Sequence, residues 1–210
     1  MSILPKLPSM ASRVTVLGVI LGLIGACAAP DNTSPPMTGV VGQPLIAASF
    51  KDLADRSTHI VVGQIVSKDD TINMARDVND INQAASDVLG LGQKYTVEVE
   101  RYVKGQGDNT LIMVQPEAFL SSRMPKTAAA IAQARAAYPY IEPDPKKTYL
   151  FFLDPLGGFA AQQYFGGVAH PSRFEITSTA EVIPETAVDG AVRVFPSRPL
   201  AEVLTEIGAQ

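Results

Sequence analysis

Few side chains in this sequence have the types and spacing that catalysis or metal binding demands. Among 210 residues, Cys27 is the only cysteine and His59 and His170 are the only histidines. A zinc site draws on Cys, His, Asp and Glu in a tight cluster, and beyond two separated histidines this chain offers only carboxylates, so no metal and no cofactor are expected. Ser172, His170 and Asp154 formally compose a hydrolytic set, yet no serine sits in the Gly-x-Ser-x-Gly turn that exposes such a nucleophile. No catalytic residue is therefore assigned, and both histidines read as surface or structurally satisfied groups. The acids follow the same logic. Asp69, Asp70, Asp77 and Asp80 lack the spacing of an EF-hand calcium loop, and Glu98 and Glu100 alternate with apolar residues as a solvated strand face does.

The most ligand-like segment spans residues 157–170, where Gly157, Gly158 and Phe159 precede Tyr164, Phe165, Gly166, Gly167 and His170. Glycines admit close backbone approach and aromatic rings supply flat contact surface. Without Gly-Lys-Ser or Gly-Lys-Thr the segment is no phosphate loop. Tyr164, Phe165, Gly166, Gly167 and His170 are the candidate ligand loop. The competing reading is a hairpin whose rings fill the interior and whose glycines turn the chain.

Cys27 carries different chemistry. Lys6 and Arg13 precede an apolar run over residues 14–26, which is secretory signal architecture, and the run is shorter than the ~20 apolar residues of a bilayer-spanning helix. Leu23, Ile24, Gly25, Ala26 and Cys27 close it. This segment resembles the lipobox of bacterial lipoprotein signal peptides, which implies thioether-linked diacylglycerol on Cys27 and cleavage just before it. An ordinary cleaved signal with a coincidental cysteine is the alternative. Residues 1–26 are thus expected to be a signal peptide, and the mature chain to be exported and lipid-anchored at the outer membrane or cell surface, its body periplasmic or extracellular. Residues 27–46, with Pro30, Pro35, Pro36 and Pro44, read as a tether. With Lys6 and Arg13 removed, 15 basic and 21 acidic residues leave a net charge of -6, which argues against nucleic acid as a partner. A chain without cysteine pairs must draw its stability from a core.

Residues 47–210 are expected to supply that core. Ser49 and Asp52 have helix-capping spacing ahead of Leu53 and Ala54. Residues 59–67 and 95–103 read as strands, the first with a bulge or bend at Gly63, and the second joined to 110–115 through a turn-rich hairpin connection. Residues 148–153 are apolar on both faces, as in a buried strand. Residues 173–177, 181–183 and 191–195 are shorter strand candidates, with a turn at Asp189 and Gly190, and residues 200–207 close the chain as a helix. Two insertions are expected to be helical. In the first, residues 70–92, Met74, Val78, Ile81, Ala85 and Val88 recur at helical spacing; the second, residues 116–146, holds an alanine-rich run at 127–137.

This order carries a second resemblance. Asp52, Leu53, Ala54 and Asp55, the run at 60–66, the run at 95–105 and the run at 149–153 resemble a family of bacterial exported proteins similar to small OB-like β-barrels, among them the inhibitor domain of tissue metalloproteinase inhibitors. The resemblance covers residue 50 to about residue 177. It implies a mainly β, α+β fold: a small antiparallel OB-like barrel decorated by two helical segments and a C-terminal helix. The inhibitors open on a metal-chelating free N-terminal cysteine and are stapled by disulfides; Cys27 is expected to be acylated and has no cysteine partner. The expected function is a non-catalytic binding or interaction module of the envelope, with an envelope protein or a small ligand as partner. The alternatives are an envelope hydrolase using His170 with a nearby carboxylate and a purely structural envelope lipoprotein.

Overall fold

The computed structural model describes residues 45–138, 141–158 and 163–209. Cys27, the signal segment, the tether up to residue 44 and Phe159 lie outside the described residues. Within them the protein is mainly β, with 43 % of residues in strands and 19 % in helices.

The chain enters through α1 (Phe50–Arg56). Ser49 caps it by accepting from the Asp52 amide at 3.1 Å, while Asp52 accepts in turn from the Ala48 amide at 3.0 Å, so the capping spacing is realised. Five strands then close a ring. β1 (His59–Asn73) pairs antiparallel with β2 (Leu89–Lys104), and β2 with β3 (Thr110–Leu120). After α2 (Ala128–Ala137), β4 (Thr148–Pro155) returns antiparallel to β1, and β5 (Tyr164–Gly167) bridges β4 antiparallel and β3 parallel. The sheet continues from β4 through β6 (Arg173–Ile176), β7 (Glu181–Pro184) and β8 (Arg198–Pro199), with α3 (Asp189–Val194) and α4 (Leu200–Glu206) completing the chain.

β4 explains its own double-faced apolarity. Tyr149, Phe151 and Leu153 point into a cluster with Val61, Val97, Met113 and Phe165, while Leu150 and Phe152 point into another with Phe50, Phe174, Phe195 and Val203. Both faces are covered, so residues 149–153 have no exposed surface at all. Phe50 sits 4.9 Å from Phe174 and 5.0 Å from Phe195, and through it α1 is fastened over the second cluster. Gly63 marks a register shift in the β1–β2 pair, as expected of a bulge.

Two expected elements are corrected. Residues 74–88 form turns rather than a helix, with Val78 96 % and Ile81 60 % exposed. The polar residues of this stretch capture nearby backbone groups instead: Asn73 binds the Ala85 and Val88 carbonyls and the Ala75 and Gly90 amides, Asp77 accepts from the Asn79 amide, and Asp80 from the Asn82 amide. Residues 191–195 are not a strand, and Asp189 and Gly190 begin α3 rather than a turn between strands. Ala191 and Phe195 are both fully buried, and a helix brings positions four apart to one face, whereas a strand would have turned Arg193 inward with them. The helix in the second insertion forms as expected, capped by Thr127.

Candidate functional site

One edge of β4 is shared end to end by two strands. β5 occupies it up to Gly167, β6 takes over at Arg173, and residues 168–172 step away between them, joined to β4 by the Val168 amide on the Phe152 carbonyl (3.3 Å) and the Phe152 amide on the Ser172 carbonyl (2.8 Å). On the other side β3 pairs with β5 only over Ile112–Val114 and then runs on to Leu120. The divergence opens a recess of about 260 Å3. Met113, Val114, Pro116, Ile141 and Pro171 give it apolar walls, and Leu45 forms part of its rim.

Its polar floor is built around Arg173, only 5 % exposed. The guanidinium Nε and Nη2 pair with Glu185, Nη1 donates to the Gln115 side chain at 2.6 Å, Nη2 also donates to the Ile141 carbonyl at 2.9 Å, and the cation lies 5.3 Å from the centre of the Tyr149 ring. Glu185 accepts from the Tyr149 hydroxyl at 3.1 Å with its other oxygen. That hydroxyl also accepts from the Asp144 amide at 2.8 Å. Burial, with the Glu185 charge beside it, pushes the Tyr149 phenol well above its ordinary pKa. Every charge in the floor has its counter-charge within the floor.

His170 lines the same recess. Its Nε2 is hydrogen-bonded to the Thr186 hydroxyl, its backbone amide donates to the Leu45 carbonyl at 2.8 Å, and it forms a bridge with Ile46, so it ties the incoming chain to the recess wall. Burial lowers its pKa below the usual imidazole value. Ser172 also lines the recess and stands against Gly167, where a Cβ would lie 2.1 Å from the Ser172 Oγ. Gly167 is needed for that approach.

The candidate ligand loop is therefore divided. Gly167 and His170 line the recess, whereas Tyr164 and Phe165 are buried on opposite faces of β5, Phe165 in the cluster shared with Val61 and Val97. The Tyr164 ring lies beneath Lys94 Nζ, 5.7 Å away, and Phe165 packs edge-on against His59 at 4.8 Å. Gly166 faces Leu156 beside a shallower hollow that Asp154 lines. Asp154 thus lies in a hollow different from the one lined by Ser172 and His170, and the formal hydrolytic set is not assembled. The carboxylate that does share the recess with His170 is Glu185, both of whose oxygens are engaged.

The other sites considered from sequence dissolve into local structure. His59 meets the Thr58 hydroxyl (2.8 Å) and the Gln106 carbonyl (3.3 Å) and does not line the recess. Asp69 accepts from Ser67 and Thr96, and Asp70 pairs with Lys94. Among the described residues no three His, Cys, Asp or Glu side chains converge as a metal site would require, and no helix is long and apolar enough to cross a membrane. Glu98 and Glu100 are exposed, as a solvated face requires.

Sequence reading missed Arg173, Glu185, Gln115 and Tyr149 as a group. Gln115 and Arg173 are 58 residues apart and Arg173 and Glu185 are 12 apart, so no local spacing announces the cluster. The one local signal was a short strand that begins on arginine immediately before Phe174. Compared with protein-family models, curated proteins and solved structures, the chain matches none.

Proposed function

We propose that this chain is a lipid-anchored binding module of the bacterial envelope, held to the membrane through diacylglycerol on Cys27 and recognising its ligand in the recess between β3, β5 and β6. The observation that carries the binding reading is that recess: a formed concavity with apolar walls, a few polar groups and a floor whose charges pair with each other, the general make-up of a ligand site. The anchor reading rests on the small residues before the lone cysteine and the proline-rich stretch behind it. The finer fold reading is an OB-like barrel, supported by the ring order β1-β2-β3-β5-β4 closing on β1, with β3 and β5 parallel.

Cys27→Ser tests the anchor. Metabolic labelling with palmitate should disappear and the protein should leave the membrane fraction; unchanged labelling overturns the proposal.

A second reading is favoured by one observation, that Ser172, His170 and Glu185 line the same recess: an envelope hydrolase in which His170 acts with Glu185. It requires Glu185 to leave Arg173 and Tyr149. Turnover of an activated ester that is abolished by Ser172→Ala would favour it over the binding module.

A further inference from the structure

Two polar side chains, Ser172 and His170, line the outer segment of the recess. The Ser172 Oγ and the His170 Nδ1 have no hydrogen-bond partner among the described residues, whereas Arg173, Glu185, Gln115 and Tyr149 beneath them are all engaged. Both stand on the segment that steps out between β5 and β6. With His170 in the tautomer whose Nε2–H donates to Thr186, Nδ1 is an acceptor, and the Ser172 hydroxyl is free to donate. Together they offer one acceptor and one donor on one wall, which is the complement of the N–H and C=O that a single residue of an extended peptide presents on the same side.

Charge narrows the ligand. Arg173 is already neutralised by Glu185, so an anion would meet a cation whose partner it must displace, and a cation would meet a carboxylate in the same position. An uncharged ligand enters without that cost. The walls provided by Met113, Val114, Pro116, Ile141 and Pro171 match aliphatic or prolyl surface, and among the described residues Tyr138 supplies the one phenol ring of the lining. A recess of about 260 Å3 has room for one or two residues of a peptide, with the rest of the segment outside its mouth.

We infer that the recess binds a short, uncharged peptide segment bearing aliphatic or prolyl side chains, with the C=O and N–H of one residue held by Ser172 Oγ and His170 Nδ1. This deepens the binding reading above and rests on it. The segment lies across the mouth formed by Leu45 and residues 167–172, its carbonyl accepting from Ser172 and its N–H donating to His170.

The test is an NMR titration of the full-length, lipid-bearing chain in micelles with three probes: acetyl-Ala-Pro-Val-amide, acetyl-Ala-Pro-Val with a free carboxylate, and N-acetylglucosamine. The blocked peptide should shift the amides of Gly167, Ala169 and Ser172 saturably, and the free carboxylate should bind no more tightly. Ser172→Ala should weaken the blocked peptide about three- to tenfold, the worth of one neutral hydrogen bond, while the resonances of residues 149–153 stay in place and report an intact core. Shifts at the same amides produced by the sugar alone would overturn the peptide class and leave the recess as a binding site. A carboxylate that binds more than tenfold tighter would overturn the uncharged requirement. No shift with any probe would overturn both the peptide inference and the binding reading.

Discussion

Arg173 shows how one side chain organises a site. It is buried, ion-paired with Glu185, hydrogen-bonded to Gln115 and the Ile141 carbonyl, and stacked near Tyr149. Taking two charges out of water is costly, so such a pair contributes little net stability, but removing one partner leaves the other uncompensated. Arg173→Ala should therefore lower unfolding stability by about 3–5 kcal/mol, whereas replacing both partners, Arg173→Met with Glu185→Leu, should recover most of that loss; urea denaturation midpoints of the two variants check it. His170 acts in a different pH range. Burial depresses its folded-state pKa, so the neutral form is favoured by folding and stability is fully present above the unfolded-state value of about 6.5. As the pH falls below that value, the unfolded chain takes up a proton that the folded one resists, and stability is lost. Arg173 in the same recess adds a like charge against protonation and Glu185 an opposite one. His170→Gln should flatten the decline of melting temperature between about pH 6.5 and 5, and a parallel decline in both proteins would contradict it.

Elements were legible where local pattern and burial agree. The capped start of α1, the β2–β3 hairpin, the doubly apolar β4 and the alanine-rich α2 follow from periodicity and turn chemistry. The stretch at 74–88 was not, because its helical spacing of apolar residues competed with a denser set of Asn and Asp residues that bond to adjacent backbone, and Val78 and Ile81 stay exposed in the turns that result. Residues 191–195 failed for the opposite reason: β-branched residues favour a strand locally, but burial of Ala191 and Phe195 on one face requires a helix. The bulge at Gly63 was foreseen in kind, and its strictness comes from the neighbouring strand. A Cβ there would lie 2.3 Å from the Glu98 carbonyl oxygen, a backbone atom. Gly63→Ala should cost about 1–3 kcal/mol through forced separation of β1 from β2, measured by thermal unfolding; an unchanged melting temperature would show that the pair gives way freely.

At the scale of the whole molecule, two apolar clusters share β4 as their common wall, and Phe50 ties the helices to one of them. Phe50→Ala should cost about 3–5 kcal/mol, since the gap faces Phe152, Phe174 and Phe195, which are held by neighbours and cannot collapse fully into it; a loss below 1 kcal/mol in a denaturation experiment would mean that α1 is not fastened there. The sequence by itself determined a mainly β body with a buried central strand, because hydrophobic period, capping and turn residues act over a few positions and need no partner to be recognised. It also carried the expectations for the address and the tether, which rest on Cys27 and the prolines. Only the tertiary structure decided where the recess lies and what lines it. Arg173, Glu185, Gln115 and His170 are drawn together by strand pairing across long stretches of chain, and the sharing of one β4 edge between β5 and β6 is a property of closure that no single segment encodes.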